Sequence, residues 1–238
     1  MRIWIACLLV GLFCDAVNGD EKLPRVLKPW GTVFDLDGDC EFLSINGKLT
    51  INVPPTCHDL NGRNGNLNAP RVLREVEGDF DIQVKLTGKF EPGPESTAPK
   101  SISFVSGGLL LWGDEKNYVR LERNRMESLS GRSACYPPLF EMCVAGKYSA
   151  ANPKSTTEKY FEGDSTWLWL ERKGQRLRAA VSHDGEDWVF SKEVSKDLPK
   201  KLSIGVSAIS TSSRPHSVTF EDLQVTLPEK TKEEKTKE

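Results

Sequence analysis

The chain has 238 residues, a formal net charge of −2 and a hydrophobic content of 38%, with 19 glycines and 14 prolines spread along it. Near-neutral charge without a basic stripe excludes an electrostatic nucleic-acid binder. Beyond the first 18 positions no apolar run is long enough for a stable membrane span, and a chain of this size can bury roughly 70% of its unfolded surface, so one large domain fits.

Met1-Arg2, the apolar run Ile3 to Phe13 and the small-residue end Ala16-Val17-Asn18-Gly19 have the three parts of a secretory signal peptide, with cleavage before Asp20. The reading for 1–19 is therefore a signal, and for the mature chain a secreted or periplasmic location. Cys7 and Cys14 leave with that segment. Cys40, Cys57, Cys135 and Cys143 remain, an even number in an oxidising compartment. Three pairings exist, and the local one, Cys40 with Cys57 and Cys135 with Cys143, is favoured because each pair lies within one short connection. Zinc held by four cysteines fits poorly, since the spacings do not form paired short knuckles.

Residues 20–29 read as an entry segment, 30–227 as the β-sandwich domain and 228–238 as a charged flexible tail of Lys, Glu and Thr that cannot bury enough apolar area to order itself. Trp30 to Phe34 opens the domain. Asp35, Asp37 and Asp39 follow at alternate positions around Gly38. They read either as a solvated acidic turn or as oxygen ligands of a structural calcium, although Asn46 stands where an EF-hand loop would carry its twelfth-position Glu. No other cofactor is indicated.

Glu41 to Ile45 and Lys48 to Val53, joined by Asn46-Gly47, form a hairpin. The stretch Thr56 to Pro70 is a long Asn- and Gly-rich loop, in which His58-Asp59 beside several amides reads as a polar site or as turn chemistry. Arg71 to Val76 and Phe80 to Leu86 make a second hairpin, the latter strand alternating cleanly. Ile102 to Trp112 is nearly continuously apolar with Gly107-Gly108 inside it, as expected of a central strand. Tyr118 to Arg123 pairs after an acidic turn. Met126 to Lys159 is the least patterned region and reads as an excursion stapled by one disulfide.

Trp167 to Phe190 is the clearest meander. Leu168 and Leu170 share one strand face, Leu177, Ala179 and Val181 another, with turns at Gly174 and Asp184-Gly185. Leu202 to Ala208 and Val218 to Val225 complete about a dozen short strands. With no heptad, solenoid period or helical stripe, the pattern is that of an all-β sandwich.

Five motifs, Gly78-Asp79-Phe80, Gly107 to Trp112 with Asn117 to Arg120, Trp167 to Arg172, Ser182 to Trp188 and Phe220 to Leu223, resemble the DUF1349 family over roughly Trp30 to Leu227. That family is similar to the concanavalin A-like lectin/glucanase superfamily, including the C-terminal domain of some β-xylosidases. The resemblance implies a concanavalin A-like jelly-roll β-sandwich of two antiparallel sheets. It implies no ligand, because this fold hosts lectins, enzymes and structural domains alike, and the loop Cys135 to Cys143 departs from the simplest family pattern.

No catalytic cluster is compelled. Glucanases of this fold resemble one another in a Glu-x-Asp-x-x-Glu strand, which is missing here, and Glu122, Glu171 and Asp222 each read as lone outward positions. His183 is a turn residue, and no Gly-x-Ser-x-Gly elbow accompanies His58, His183 or His216. Sugar binding asks for flat aromatic faces rimmed by polar groups. Trp169 alternates away from Leu168 and Leu170, Arg178 away from Leu177 and Ala179, and Trp112 ends a strand near Tyr118 and Arg120. The reading is a non-catalytic carbohydrate-binding module using Trp112, Arg120, Trp169, Arg178 and His58, with packing as the alternative role for the tryptophans. The alternative functions are a glycoside hydrolase-like enzyme with an unrecognised carboxylate pair, or a protein-interaction or envelope-associated module.

Overall fold

The computed structural model describes residues 24–127, 133–135, 139–153 and 163–228, with only the backbone of 133–135. The expected signal peptide and nearly all of the charged tail lie outside these residues. In chain order the strands are β1 (Val26–Leu27), β2 (Gly31–Phe34), β3 (Glu41–Ile45), β4 (Lys48–Val53), β5 (Arg71–Glu77) and β6 (Phe80–Thr87). Next come β7 (Phe104–Asp114), β8 (Asn117–Glu127), β9 (Ser133–Cys135), β10 (Leu139–Val144), β11 (Lys147–Ala150) and β12 (Ser165–Lys173). The chain finishes with β13 (Arg176–Ser182), β14 (Trp188–Phe190), β15 (Val194–Ser195), β16 (Lys201–Ser210) and β17 (His216–Thr226).

These strands form two antiparallel sheets. One runs β1-β2-β5-β16-β7-β8-β10-β11 with β9 beside β8, and the other runs β14-β13-β12-β6-β17-β4-β3 with β15 beside β13. The period-two pattern decides which faces meet. On β6 the residues Phe80, Ile82, Val84 and Leu86 are buried while their neighbours are half-exposed. On β12, Leu168 and Leu170 are sealed beneath the same layer. Leu109, Leu111, Val119, Leu121 and Val206 from the facing sheet, with Phe220 from β17 beside β6, complete the core. Each such side chain contributes about 1.5–3 kcal/mol by leaving water.

Particular residues make this packing fit. Asn46 and Gly47, at φ of 51° and 77°, close the β3–β4 turn in the conformation that an Asn-Gly pair favours. The glycines inside β7 have a steric reason: a Cβ on Gly108 would lie 2.0 Å from the Leu121 carbonyl oxygen, and one on Gly107 would lie 2.9 Å from a Val218 methyl of the opposite sheet. Trp30 is buried against Phe220, ring centroids 6.4 Å apart, so it packs the core.

Two expectations about the middle of the chain need correction. Much of 126–159 is ordered strand, because β10 and β11 extend the first sheet beyond β8 and bury Phe140 and Met142 in the core. The staples are also missing: Cys40, Cys57 and Cys143 are free thiols. Cys57 Sγ accepts from the Asn66 amide at 3.0 Å, Cys143 Sγ faces the Lys116 carbonyl at 3.5 Å, and Cys40 Sγ turns toward Asp39 and His58. The Cys135 side chain lies outside the described residues. Among the described residues, core burial over two large sheets rather than cross-linking holds the fold.

Candidate functional site

The proposed sugar-binding residues divide between opposite faces of the sandwich. Trp169 and Arg178 stand half-buried on the outer face of the second sheet, where Glu171 pairs in register with Arg178. Trp169 meets Phe190 edge-on at 5.7 Å, and the Arg178 guanidinium covers the other side of that contact, 4.0 Å from the Phe190 ring centroid. Trp112 and Arg120 belong to the first sheet, on its outer face. The five residues therefore do not form one site.

The outer face of the first sheet is roofed, which the strand pattern alone does not reveal. The 54–70 loop crosses it and is pinned by paired backbone bonds between His58 and Ser210. Leu60, fully buried, sits with Leu73, Leu110, Tyr118 and Ile209 in a second small core. Tyr118 Oη donates to the Leu60 carbonyl at 3.2 Å, receives the Gly62 N–H at 3.4 Å and lies 2.9 Å from Tyr148 Oη. Trp112 stacks on Tyr118 at 5.6 Å and lies beneath the Arg71 guanidinium at 4.4 Å. It is half-buried, sandwiched between an aromatic ring and a cation.

Beside this roof a groove of about 350 Å³ opens between the 54–70 loop and the Lys100 to Ile102 connection. Asp59, Asn61, Ile102, Phe104 and Thr211 line it, with Arg120 at its floor. Arg120 holds Glu141 with two bonds of 3.2 and 2.9 Å and approaches Glu122 at 3.6 Å. Burial works against its charge, but Glu122, Glu141 and Asp59 more than offset this and keep the guanidinium charged. Glu122 is completely enclosed and accepts from Ser106 Oγ at 3.1 Å. Burial pushes its carboxyl up, against the opposing pull of Arg120. Asp59 is likewise pushed up by burial, with Arg120 and its own bond from the Leu60 N–H acting the other way. Arg120 Nη1 and Glu122 Oε1 have no hydrogen-bond partner, although they face each other as an ion pair. Arg63 closes the rim, stacked 3.7 Å from the Tyr148 ring centroid and 3.8 Å from Glu141.

Glu122 is thus neither lone nor solvated. Its strand parity with Tyr118 and Arg120 was legible, but the loop that packs on Tyr118 and borders Arg120 comes from elsewhere in the chain. Asp59, Asn61 and Glu141 entered the site by the same long-range folding, and only the polar composition of the loop marked it beforehand. Glu171 stays half-exposed beside Lys173, and Asp222 sits at a bulge in β17 with φ of 55°.

His58 joins a different cluster. Its ring is fully buried, with Nε2 at 3.1 Å from Asp39 Oδ1 and 2.9 Å from Thr56 Oγ1. Cys40 Sγ lies 3.8 Å from Nε2, and Asp37 Oδ2 lies 3.7 Å from Nδ1. The three aspartates expected to converge do not. Asp35 spends its two oxygens on the Gly38 and Cys40 N–H groups, and Asp37 accepts from the Asn68 amide at 2.6 Å. The donor atoms brought together among the described residues are those of Asp39, Cys40 and His58.

Two packed antiparallel sheets, one with a roofed and grooved outer face, define a jelly-roll β-sandwich. The chain belongs to the family described as "Protein of unknown function (DUF1349)", whose profile matches residues 55–228. Strands β1 to β4 precede that match yet complete both sheets. No curated protein matches the sequence significantly. Among solved structures it is similar to a functionally unknown protein from Saccharomyces cerevisiae, at 17% identity and TM-score 0.60, covering 84% of this chain and 97% of that one. It is also similar to a GH43 protein from Bacillus licheniformis (14% identity, TM-score 0.52, 75% of this chain and 32% of that one). A xylan beta-1,4-xylosidase from Bacillus halodurans C-125 aligns at 13% identity and TM-score 0.51, covering 79% of this chain and 34% of the enzyme. The chain spans about a third of each of these two proteins, and the likeness is one of fold.

Proposed function

We propose that the chain binds carbohydrate in the groove beside the 54–70 loop, without catalysis. The observation that carries this reading is the Arg120 floor, a buried guanidinium held among Asp59, Glu122 and Glu141 beneath a groove that also offers Asn61 and the apolar surfaces of Ile102 and Phe104. A sugar presents hydroxyls and carbon-hydrogen faces together. A small pocket combining apolar walls with a few fixed polar groups suits it. Secretion would place the module where free glycans occur, and the sequence pattern of residues 1–19 supports that part of the proposal.

Glycan-array binding followed by calorimetry tests the reading. Asp59→Asn and Asn61→Ala abolish or weaken binding at least about tenfold, a loss of about 1.4 kcal/mol, while Trp169→Ala on the opposite sheet leaves it intact. The reverse pattern refutes the groove assignment. Asp59 also favours a second reading, glycan hydrolysis, because a half-buried carboxyl with a raised pKa suits general acid chemistry. Release of reducing sugar that disappears in Asp59→Asn would establish the enzyme over the binding module. A protein partner captured with no glycan signal would instead point to an interaction module.

A further inference from the structure

We infer that Asp39, Cys40 and His58 form a binding site for a single zinc-like transition-metal ion, with Asp37 as the positioning carboxylate of the histidine. This site is separate from the groove and stands whether or not the groove takes sugar.

The separations carry the argument. Asp39 Oδ1, Cys40 Sγ and His58 Nε2 lie 3.1, 3.7 and 3.8 Å from one another. An ion bound tetrahedrally at about 2.0 Å from nitrogen, 2.1 Å from oxygen and 2.3 Å from sulfur spaces its ligands roughly 3.3–3.6 Å apart. The three separations are within a few tenths of an ångström of that triangle. Cys40 Sγ stands nearly as close to Nδ1, at 4.0 Å, so binding an ion through Nε2 requires the imidazole or the thiol to swing slightly. Thr56 Oγ1, 2.9 Å from Nε2 and 3.1 Å from Asp39 Oδ2, marks the fourth side, where it or a water completes the set.

The surroundings fit the same purpose. His58 is fully enclosed, so its ring cannot turn away, whereas the Asp39 and Asp37 side chains keep 40% and 46% of their exposure and leave an entry path. A ligating imidazole ordinarily directs its second nitrogen to a carboxylate. Here Nδ1 faces Asp37 Oδ2 at 3.7 Å, within ion-pair reach but longer than a direct hydrogen bond, and Asp37 is itself held by Asn68. Asp37 and Asn68 thereby tie the acidic turn to the 54–70 loop, and Asn68 also accepts from the Asp59 N–H at 2.9 Å. The donor set decides the metal class. Thiolate and imidazole suit zinc, cobalt or copper, whereas calcium needs six to eight oxygens.

The test uses the full chain, reduced and stripped by chelator, then titrated with Co²⁺. Saturation at about one ion per chain is expected, with a thiolate-to-cobalt charge-transfer band that Zn²⁺ displaces. Cys40→Ser removes the band and Cys57→Ser retains it, while Asp37→Asn weakens affinity about 10- to 100-fold. In the unmodified chain, Zn²⁺ shields Cys40 from alkylation but not Cys57, a readout that needs no variant to fold. A chain that binds Co²⁺ without a thiolate band, a band surviving Cys40→Ser, alkylation of Cys40 unaffected by Zn²⁺, or a melting temperature raised by Ca²⁺ and not by Zn²⁺ would each overturn the assignment.

Discussion

Replacing Arg120 by Met removes the cation that faces an enclosed carboxylate while keeping most of the side-chain length. Glu122 Oε1 lies 3.6 Å from the guanidinium, its side chain has no exposure, and its other oxygen is held by Ser106. At an effective dielectric of about 20, the lost attraction is about 332/(20 × 3.6), or roughly 5 kcal/mol. Breaking a buried pair by removing one partner costs about 3–5 kcal/mol in practice. The two figures agree, and for a domain of this size they mean a melting temperature lower by about 6–20 °C. The loss depends on pH with a definite sign. Burial already raises the Glu122 pKa, and deleting Arg120 raises it further. The folded variant therefore holds a proton that the unfolded chain releases above about pH 4.3, so stability falls as pH rises. Urea unfolding at pH 5 and pH 8 checks this. The penalty should be larger at pH 8, and adding Glu122→Leu should recover more than half of it. A penalty below about 1 kcal/mol, equal at both pH values, would refute the claim that this pair is buried and coupled.

His216 is fully buried against Phe90, and burial lowers its pKa to about 4, with the Ser106 carbonyl acting the other way. Because the unfolded residue takes a proton near pH 6.5, its share of stability is lost as pH falls from about 6.5 to about 4. That share is up to about 3 kcal/mol, and the acid limb of the pH–stability curve should flatten in His216→Asn. Gly108→Ala drives a methyl to 2.0 Å from the Leu121 oxygen, within the β7–β8 pairing, and should cost at least about 3 kcal/mol or prevent folding. Circular dichroism and expression yield read it. Tyr118→Phe deprives the Leu60 carbonyl of its donor and should cost about 1–2 kcal/mol, with proteolysis between residues 60 and 66 accelerated. Normal protection of that loop would show that the tyrosine pair does not anchor it.

The sequence by itself determined the sandwich. Apolar residues at alternate positions of Trp167 to Val181 and Phe80 to Leu86 specify one buried face per strand, and Asn46-Gly47 specifies its turn, because both signals act between residues close along the chain. The tertiary structure decided the face that matters. Period two predicts that Trp112, Arg120 and Glu122 point away from the core, and so they do, but a loop some fifty residues earlier packs on Tyr118 of the same face and borders Arg120, converting part of an outward face into an interior one. The same long-range placement separated Trp169 and Arg178 onto the other sheet. Likewise it withdrew Cys40 from Cys57 and set it beside His58. Contacts between distant segments depend on how two sheets and their loops close in space, and alternation along one strand does not encode that.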